Sequence, residues 1–306
     1  MGFVACGDDL PPEPEPEPSR TILVHQQNTG TNLLLSTDGR VTGSSVPDGL
    51  LPIGAGPGER IVAALTPSSD ALVLVGLNTP DRLDTIIRPM PTSHSLAAFS
   101  NDEQFVALVS YVPERVVLLY DRASQLLDSL PYGNAEPALP PIMSPDNERI
   151  ALITVTDLSI FIKVLFRNDR ARSFTERFGF SRILNRPLFG WPRWTDEGLL
   201  IGFLRAGQNG PDTIMAGFAN PDNPNQFLVE RYRAVMSPVS DARPEVLLGL
   251  TSTYAFSPGG QSIVIGAEPG TGPNRHAIYL VTPDVGRIQL LLDDPAQFPM
   301  FPLFID

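Results

Sequence analysis

The chain has 306 residues, 42% of them hydrophobic, with 34 acidic against 22 basic side chains and a formal net charge of -12, which argues against the basic face that a nucleic-acid partner requires. No apolar run approaches the roughly 18 residues of a membrane-spanning helix, and the single cysteine, Cys6, excludes an intramolecular disulfide framework or a multi-cysteine metal site. Proline, at 32 residues, is about twice its usual share of roughly 5% and disfavours long helices, because it lacks the N–H donor and fixes its own φ.

In chain order the first stretch is Phe3-Val4-Ala5-Cys6-Gly7-Asp8-Asp9. It resembles the lipobox of bacterial lipoproteins, in which small residues precede a cysteine that becomes acylated and forms the new N-terminus. It departs from that pattern upstream, since Met1 to Ala5 is too short for a charged region and an apolar core of about 7 to 15 residues. Leu10-Pro11-Pro12 and Glu-Pro repeats to Pro18 follow, an extended, charge-stiffened spacer. The expectation is therefore a disordered tether over residues 1–20, lipid attachment at Cys6, and a domain over 21–306 held on a bacterial membrane without spanning it, in the periplasm or at the surface.

From Thr21 two strands are predicted, at Ile22-Leu23-Val24 and Leu33-Leu34-Leu35, joined by a polar turn through Asn28-Thr29-Gly30 and followed by the turn Ser36-Thr37-Asp38-Gly39, with Asp-Gly as a hairpin signal. Val46 to Gly58 reads as a Gly- and Pro-rich connector, and its Gly54-Ala55-Gly56-Pro57-Gly58 lacks the lysine of a phosphate loop. Five units then align on Thr66, Ser100, Ser144, Thr195 and Ser257. A large apolar residue precedes each marker (Leu65, Phe99, Met143, Trp194, Phe256), and apolar residues recur six and eight positions later (Leu72 and Leu74 in the first unit, Ile263 and Ile265 in the last). Alternation beyond a polar turn predicts a β-hairpin with one buried face. Third strands follow at Leu83–Ile87, Val116–Tyr120, Ser159–Leu165, Thr213–Phe218 and Ala277–Val281, with fourth strands at Gln125–Leu130, Gln226–Val229 and Arg287–Leu292. Four short antiparallel strands repeated radially describe the blade of a β-propeller.

Met143-Ser144-Pro145-Asp146-Asn147 and Phe256-Ser257-Pro258-Gly259-Gly260 resemble the TolB-like propeller repeat, whose turn runs apolar-Ser-Pro-Asp-Gly into a strand; the other three copies are degenerate. The resemblance implies a six-bladed propeller acting in the bacterial envelope as a binding platform. The chain closes with Phe298–Ile305, an innermost strand with no hairpin after it, whereas the first blade lacks such a strand. The expected fold is thus all-β: one propeller of six blades with four antiparallel strands each, closed by pairing the N- and C-terminal segments in one blade.

Catalytic motifs are sparse. No Gly-x-Ser-x-Gly elbow occurs, and His25, His94 and His276 fall in different units without metal-ligand spacing. His94, just before an innermost strand, is the best catalytic candidate, against the reading of an exposed loop histidine. Asp102, Asp146 and Asp196 in the turns could hold a cation, although turn aspartates ordinarily bond their own backbone. Trp191 and Trp194 read as core and rim of one blade. The Arg-rich stretch 167–186 reads as a partner-binding patch or, more plainly, as a long outer strand and solvated loop. The expected function is a membrane-tethered, monomeric, extracytoplasmic propeller that binds a protein or envelope component, with no catalytic, cofactor or metal residue assigned. The alternative is a hydrolase or lyase with a divalent cation in the central channel, which metal analysis separates.

Overall fold

The repeating unit is a turn tied by its own serine. Ser100 accepts the Phe105 N–H at 2.9 Å and donates to the Asp102 carboxylate at 2.6 Å, and Asp102 also accepts the Gln104 N–H at 3.0 Å. Ser144 accepts the Arg149 N–H at 2.9 Å and donates to Asp146, which takes the Glu148 N–H at 3.0 Å. Ser257 accepts the Ser262 N–H at 3.0 Å. All three serines are fully buried, so the marker hydroxyls satisfy backbone donors that the turn would otherwise orphan.

The computed structural model describes residues 20–44, 46–56, 58, 61–134, 137–155, 159–179, 185–187, 189–195, 198–205, 213–219, 229–235, 246–247, 253–257, 262–269, 277–282, 287–293 and 299–305. Among them the strands form six sheets. The first blade holds β1 (Thr21–Gln26), β2 (Thr31–Ser36) and β3 (Val41–Gly43). The second holds β4 (Leu51–Ala55), β5 (Ile61–Leu65), β6 (Leu72–Gly76) and β7 (Thr79–Ile87); the third holds β8 (Ser93–His94), β9 (Ala98–Phe99), β10 (Phe105–Val112), β11 (Val116–Asp121) and β12 (Leu126–Pro131). In the fourth are β13 (Ile142–Met143), β14 (Arg149–Val155), β15 (Ser159–Phe166) and β16 (Asp169–Gly179). The fifth takes β17 (Asn185–Pro187), β19 (Arg193–Thr195), β20 (Gly198–Arg205), β21 (Thr213–Ala219) and β22 (Val229–Val235). The sixth takes β18 (Phe189–Trp191), β23 (Val246–Leu247), β24 (Thr253–Phe256), β25 (Ile263–Pro269), β26 (Ala277–Thr282) and β27 (Arg287–Asp293). The last strand, β28 (Pro299–Phe304), pairs antiparallel with β1, Ile22 facing Phe304 and Gln26 facing Pro299. The N- and C-terminal segments thus share one blade, the closure that the unmatched terminal segments predict.

Neighbouring sheets share cores, and the sharing runs round a ring. Leu23 and Leu303 of the first blade pack with Val62 and Val75 of the second. Ala63 and Leu74 of the second meet Val106 and Leu108 of the third, while Val109 and Val117 meet Ile150 and Leu152 of the fourth. Ile153 and Ile162 continue to Leu199 and Ile201 of the fifth. The phenol oxygen of Tyr254 in the sixth accepts the Gly202 N–H of the fifth at 3.0 Å, and Val264 and Ile278 of the sixth return to Ile22 and Val24 of the first.

Two expectations change. Successive residues of β5, β10 and β14 enter different cores, Ile61, Ala63 and Leu65 on one side and Val62 and Ala64 on the other. These strands are buried on both faces, because each blade is clasped between two others, and not on one face as alternation alone suggests. Secondly, the connector Val46–Gly58 contains β4, the innermost strand of the second blade. Gly54 allows it, since a Cβ there would stand 2.5 Å from Ala97 O. Thr66 therefore joins the second and third strands of its blade, not the first and second, and Leu83–Ile87 belongs to the fourth strand, β7.

The Arg-rich stretch is in part that long outer strand, β16. Arg170 reaches the Asp128 carboxylate of the third blade at 2.6 Å, Arg172 lies 3.8 Å over the Phe166 ring, and Arg177 donates to Ser159 at 2.7 Å. Arg182 and the side chain of Arg186 lie outside the described residues. At the same seam the chain's only lysine, Lys163, donates to Tyr132 O at 2.7 Å.

Candidate functional site

The ends of β4, β9, β13, β24 and β28 converge at one mouth. There a cavity of about 100 Å³ is lined by Ala55, Phe99, Met143, Phe256 and Phe304 from those ends, and by Trp191, Pro192, Arg193 and Trp194. The wall is aromatic because the residue before each turn marker is large and apolar, and its position at the end of an innermost strand brings it to the rim or the wall.

The floor is set by β18. This three-residue strand lies in the chain between β17 and β19 of the fifth blade and pairs parallel with β24 of the sixth on the axial side, Gly190 facing Tyr254. Gly190 is required there: a Cβ would overlap Tyr254 O and stand 2.6 Å from its Cδ1. The next side chain, Trp191, is thereby delivered to the centre of the ring. Its indole N–H donates to Ala97 O at 3.0 Å and Ile53 O at 3.3 Å, and its rings pack against the cores between the first and second, second and third, and sixth and first blades. Trp191 is thus a hub across blades, a correction to its reading as core or rim of one. Trp194 lies in the core between the fourth and fifth blades, with the Arg149 guanidinium 4.9 Å over its ring.

Arg193 supplies the cavity wall with charge. Its guanidinium donates to Ser257 O at 3.3 Å, and burial, reinforced by the like charge of Arg20, holds it below the ordinary range of arginine. Arg20 stands at the same mouth because β1 runs antiparallel to β28, and the Ile305 N–H donates to Thr21 O at 3.1 Å. The Arg20 Nε is buried and has no hydrogen-bond partner among the described residues.

The histidines are not gathered here. His94 is half-buried at the start of the innermost segment of its blade, the end away from the cavity, with Nδ1 2.9 Å from Ser95 O. His25 is buried, its Nδ1 2.9 Å from Asn32 Oδ1, and Asn32 donates to Pro47 O and Leu50 O at 3.0 and 3.1 Å. Burial pushes the His25 imidazole below its ordinary range against the raising effect of Asn32; the pair pins the 46–50 loop to the first blade. His276 and Asp196 lie outside the described residues. Asp102 and Asp146 serve their own turns: burial, the largest single influence, raises each carboxyl, but the Ser100 and Ser144 hydroxyls together with the backbone N–H groups of the turns outweigh it, so both sit below the usual range. Among the described residues no three His, Cys, Asp or Glu side chains come together as a metal-holding group.

Sequence reasoning missed Arg193, Arg20 and the position of Trp191. The available signal was Gly190-Trp191-Pro192-Arg193-Trp194, which holds both tryptophans of the chain next to a glycine.

The chain matches no protein-family model and no curated protein. Among solved structures it is similar to TolB from Acinetobacter baumannii, with a TM-score of 0.63 and 14% identity, 94% of this chain covering 66% of that one. It is also similar to a TolB-type protein from Agrobacterium tumefaciens, with a TM-score of 0.53, 13% identity and coverage of 94% and 99%. A chain in a nidogen–laminin complex gives a TM-score of 0.58 at 10% identity, with coverage of 93% and 98%. The chain spans just under two thirds of the Acinetobacter protein. At these identities the likeness shows the fold, a β-propeller of the kind seen in TolB.

Proposed function

We propose that this chain is an extracytoplasmic binding propeller of a bacterial envelope, tethered through Cys6, which captures a protein or another envelope component at the mouth where its innermost strands end and performs no catalysis of its own. The observation that carries this reading is the cavity there, a concave site that sets the rings of Phe99, Trp191, Phe256 and Phe304 beside the polar side chains of Asn101 and Arg193. The fold is one that a nidogen–laminin complex also contains. The tether supports it further, since residues 1–20 read as a Pro/Glu spacer behind a lipobox-like cysteine.

Two measurements test the two halves. The full chain, used as bait in detergent-solubilised envelopes, retains a partner that Phe99→Ser, a change in the cavity wall, releases by about tenfold or more; capture indifferent to Phe99 removes the mouth as the binding face. Metabolic labelling with a radioactive fatty acid marks the wild-type chain and not Cys6→Ser, and an unlabelled wild-type chain refutes the anchor.

A further inference from the structure

The cavity sets aromatic side chains beside the Arg193 guanidinium, and the charge of Arg20 reaches Arg193 from just outside the lining. Arg193 carries five N–H donors and gives one to Ser257 O at 3.3 Å. Among the described residues no carboxylate pairs with it, the charge that acts on it is the cation of Arg20, and the Arg20 Nε is buried with no hydrogen-bond partner among those residues. Two like charges brought together in a partly dry site are unfavourable unless an anion joins them. The side chains of Phe99, Met143, Trp191 and Phe256 in the same lining offer nothing to a bare anion but match an apolar side chain beside it. The cavity volume of about 100 Å³ suits one such side chain.

We propose that this mouth binds the C-terminus of a partner polypeptide, with the terminal carboxylate on Arg193, the charge of Arg20 beside it, and the apolar last side chain against Phe99, Trp191 and Phe256. The site deepens the binding function proposed above and rests on it for the choice of a polypeptide as the source of the carboxylate. A chain end supplies a planar, two-oxygen acceptor that a guanidinium meets with paired N–H donors, and it supplies the adjoining apolar side chain at a fixed spacing.

The chain reports on this site without a label, since its only two tryptophans, Trp191 and Trp194, both line the cavity. Acetyl-Gly-Ala-Phe with a free carboxylate, titrated into the purified full chain, shifts tryptophan emission and binds about tenfold or more tightly than the same peptide as its C-terminal amide, as expected for a charge-assisted pair. Arg193→Gln erases the preference for the acid, Arg20→Gln lowers it, and Arg193→Lys restores part of it; circular dichroism of each variant establishes that it is folded. Equal affinity for acid and amide overturns the proposal. So does binding of 3-phenylpropionate with no binding of the peptide, which would make the ligand a free acid. If the acid preference emerges only after Glu13, Glu15 and Glu17 of the tether are changed to glutamine, the tether itself is the counterion and the chain-end site falls. Capture of an envelope partner that survives Arg193→Gln and is lost in Phe99→Ser removes this inference and leaves the binding propeller standing.

Discussion

Deleting residues 299–306 is expected to abolish the folded state at 25 °C. The deletion removes β28, the innermost strand of the first blade, and with it Leu303, Phe304 and Ile305, exposed by only 3%, 7% and 2%. Each such side chain contributes about 1.5–3 kcal/mol by burial, so the three together approach the whole stability of about 5–15 kcal/mol of an ordinary domain. The loss does not stop there. Leu303 packs in the core between the first and second blades and Phe304 in that between the sixth and first, so both seams of the closing blade open together. The unpaired edge of β1 is then free to recruit another chain. Urea titration followed by tryptophan fluorescence gives no cooperative transition for the deleted chain, and size-exclusion chromatography finds it aggregated. Leu303→Ala, a milder probe, lowers stability by about 2–5 kcal/mol. A deleted chain that stays monomeric with an unchanged urea midpoint would show that the ring does not depend on this pairing.

Gly190→Ala is the single substitution with the largest expected effect. The added methyl would overlap Tyr254 O and lie 2.7 Å from Tyr254 N, both backbone atoms of a paired strand, so neither can rotate away. Relief requires β18 to leave β24. That movement carries Trp191 off the carbonyls of Ile53 and Ala97, and it disturbs Tyr254, which is wholly buried, stacks edge-on against Phe256 at 5.4 Å and accepts the Gly202 N–H. Overpacking alone costs about 1–3 kcal/mol, and the hydrogen bonds lost with it raise the total to about 3 kcal/mol or more. The measurement is the urea midpoint, with emission from Trp191 moving to longer wavelength as the indole is wetted. Trp191→Phe separates the two contributions, since it keeps most of the apolar hub and loses only the N–H donor, for about 1–2 kcal/mol. An alanine at 190 that leaves both midpoint and emission unchanged would place the strand elsewhere.

The hairpins were readable because they are local. A buried Ser or Thr before a polar turn, with apolar residues six and eight positions on, is short-range chemistry, and Ser100, Ser144 and Ser257 use it as the pattern predicts. The partnership of β1 with β28 was also legible, through the mismatch of an unpaired first hairpin and a last strand without one. β4 was not, because Leu51-Pro52-Ile53-Gly54-Ala55 has the composition of a loop and becomes a strand only where its glycine lets the backbone approach Ala97. β18 was hidden for a related reason: a three-residue parallel strand has no periodicity of its own, and its partner lies more than sixty residues downstream. The cavity inherits that limit. Its aromatic wall follows from the repeat pattern, but the meeting of Arg193 with Arg20 depends on ring closure, which no short window of sequence contains.

One small feature bears on how partners of this protein are sought. Lys163 is the only lysine in the chain, and its ammonium is occupied by Tyr132 O at the seam of the third and fourth blades, away from the cavity. Reagents that couple through primary amines therefore have a single ε-amine to address, and consuming it removes a bond between blades. A partner seated at the mouth would find no ε-amine of this chain beside it for an amine cross-linker to join, whereas guanidinium-directed chemistry would meet Arg193 there.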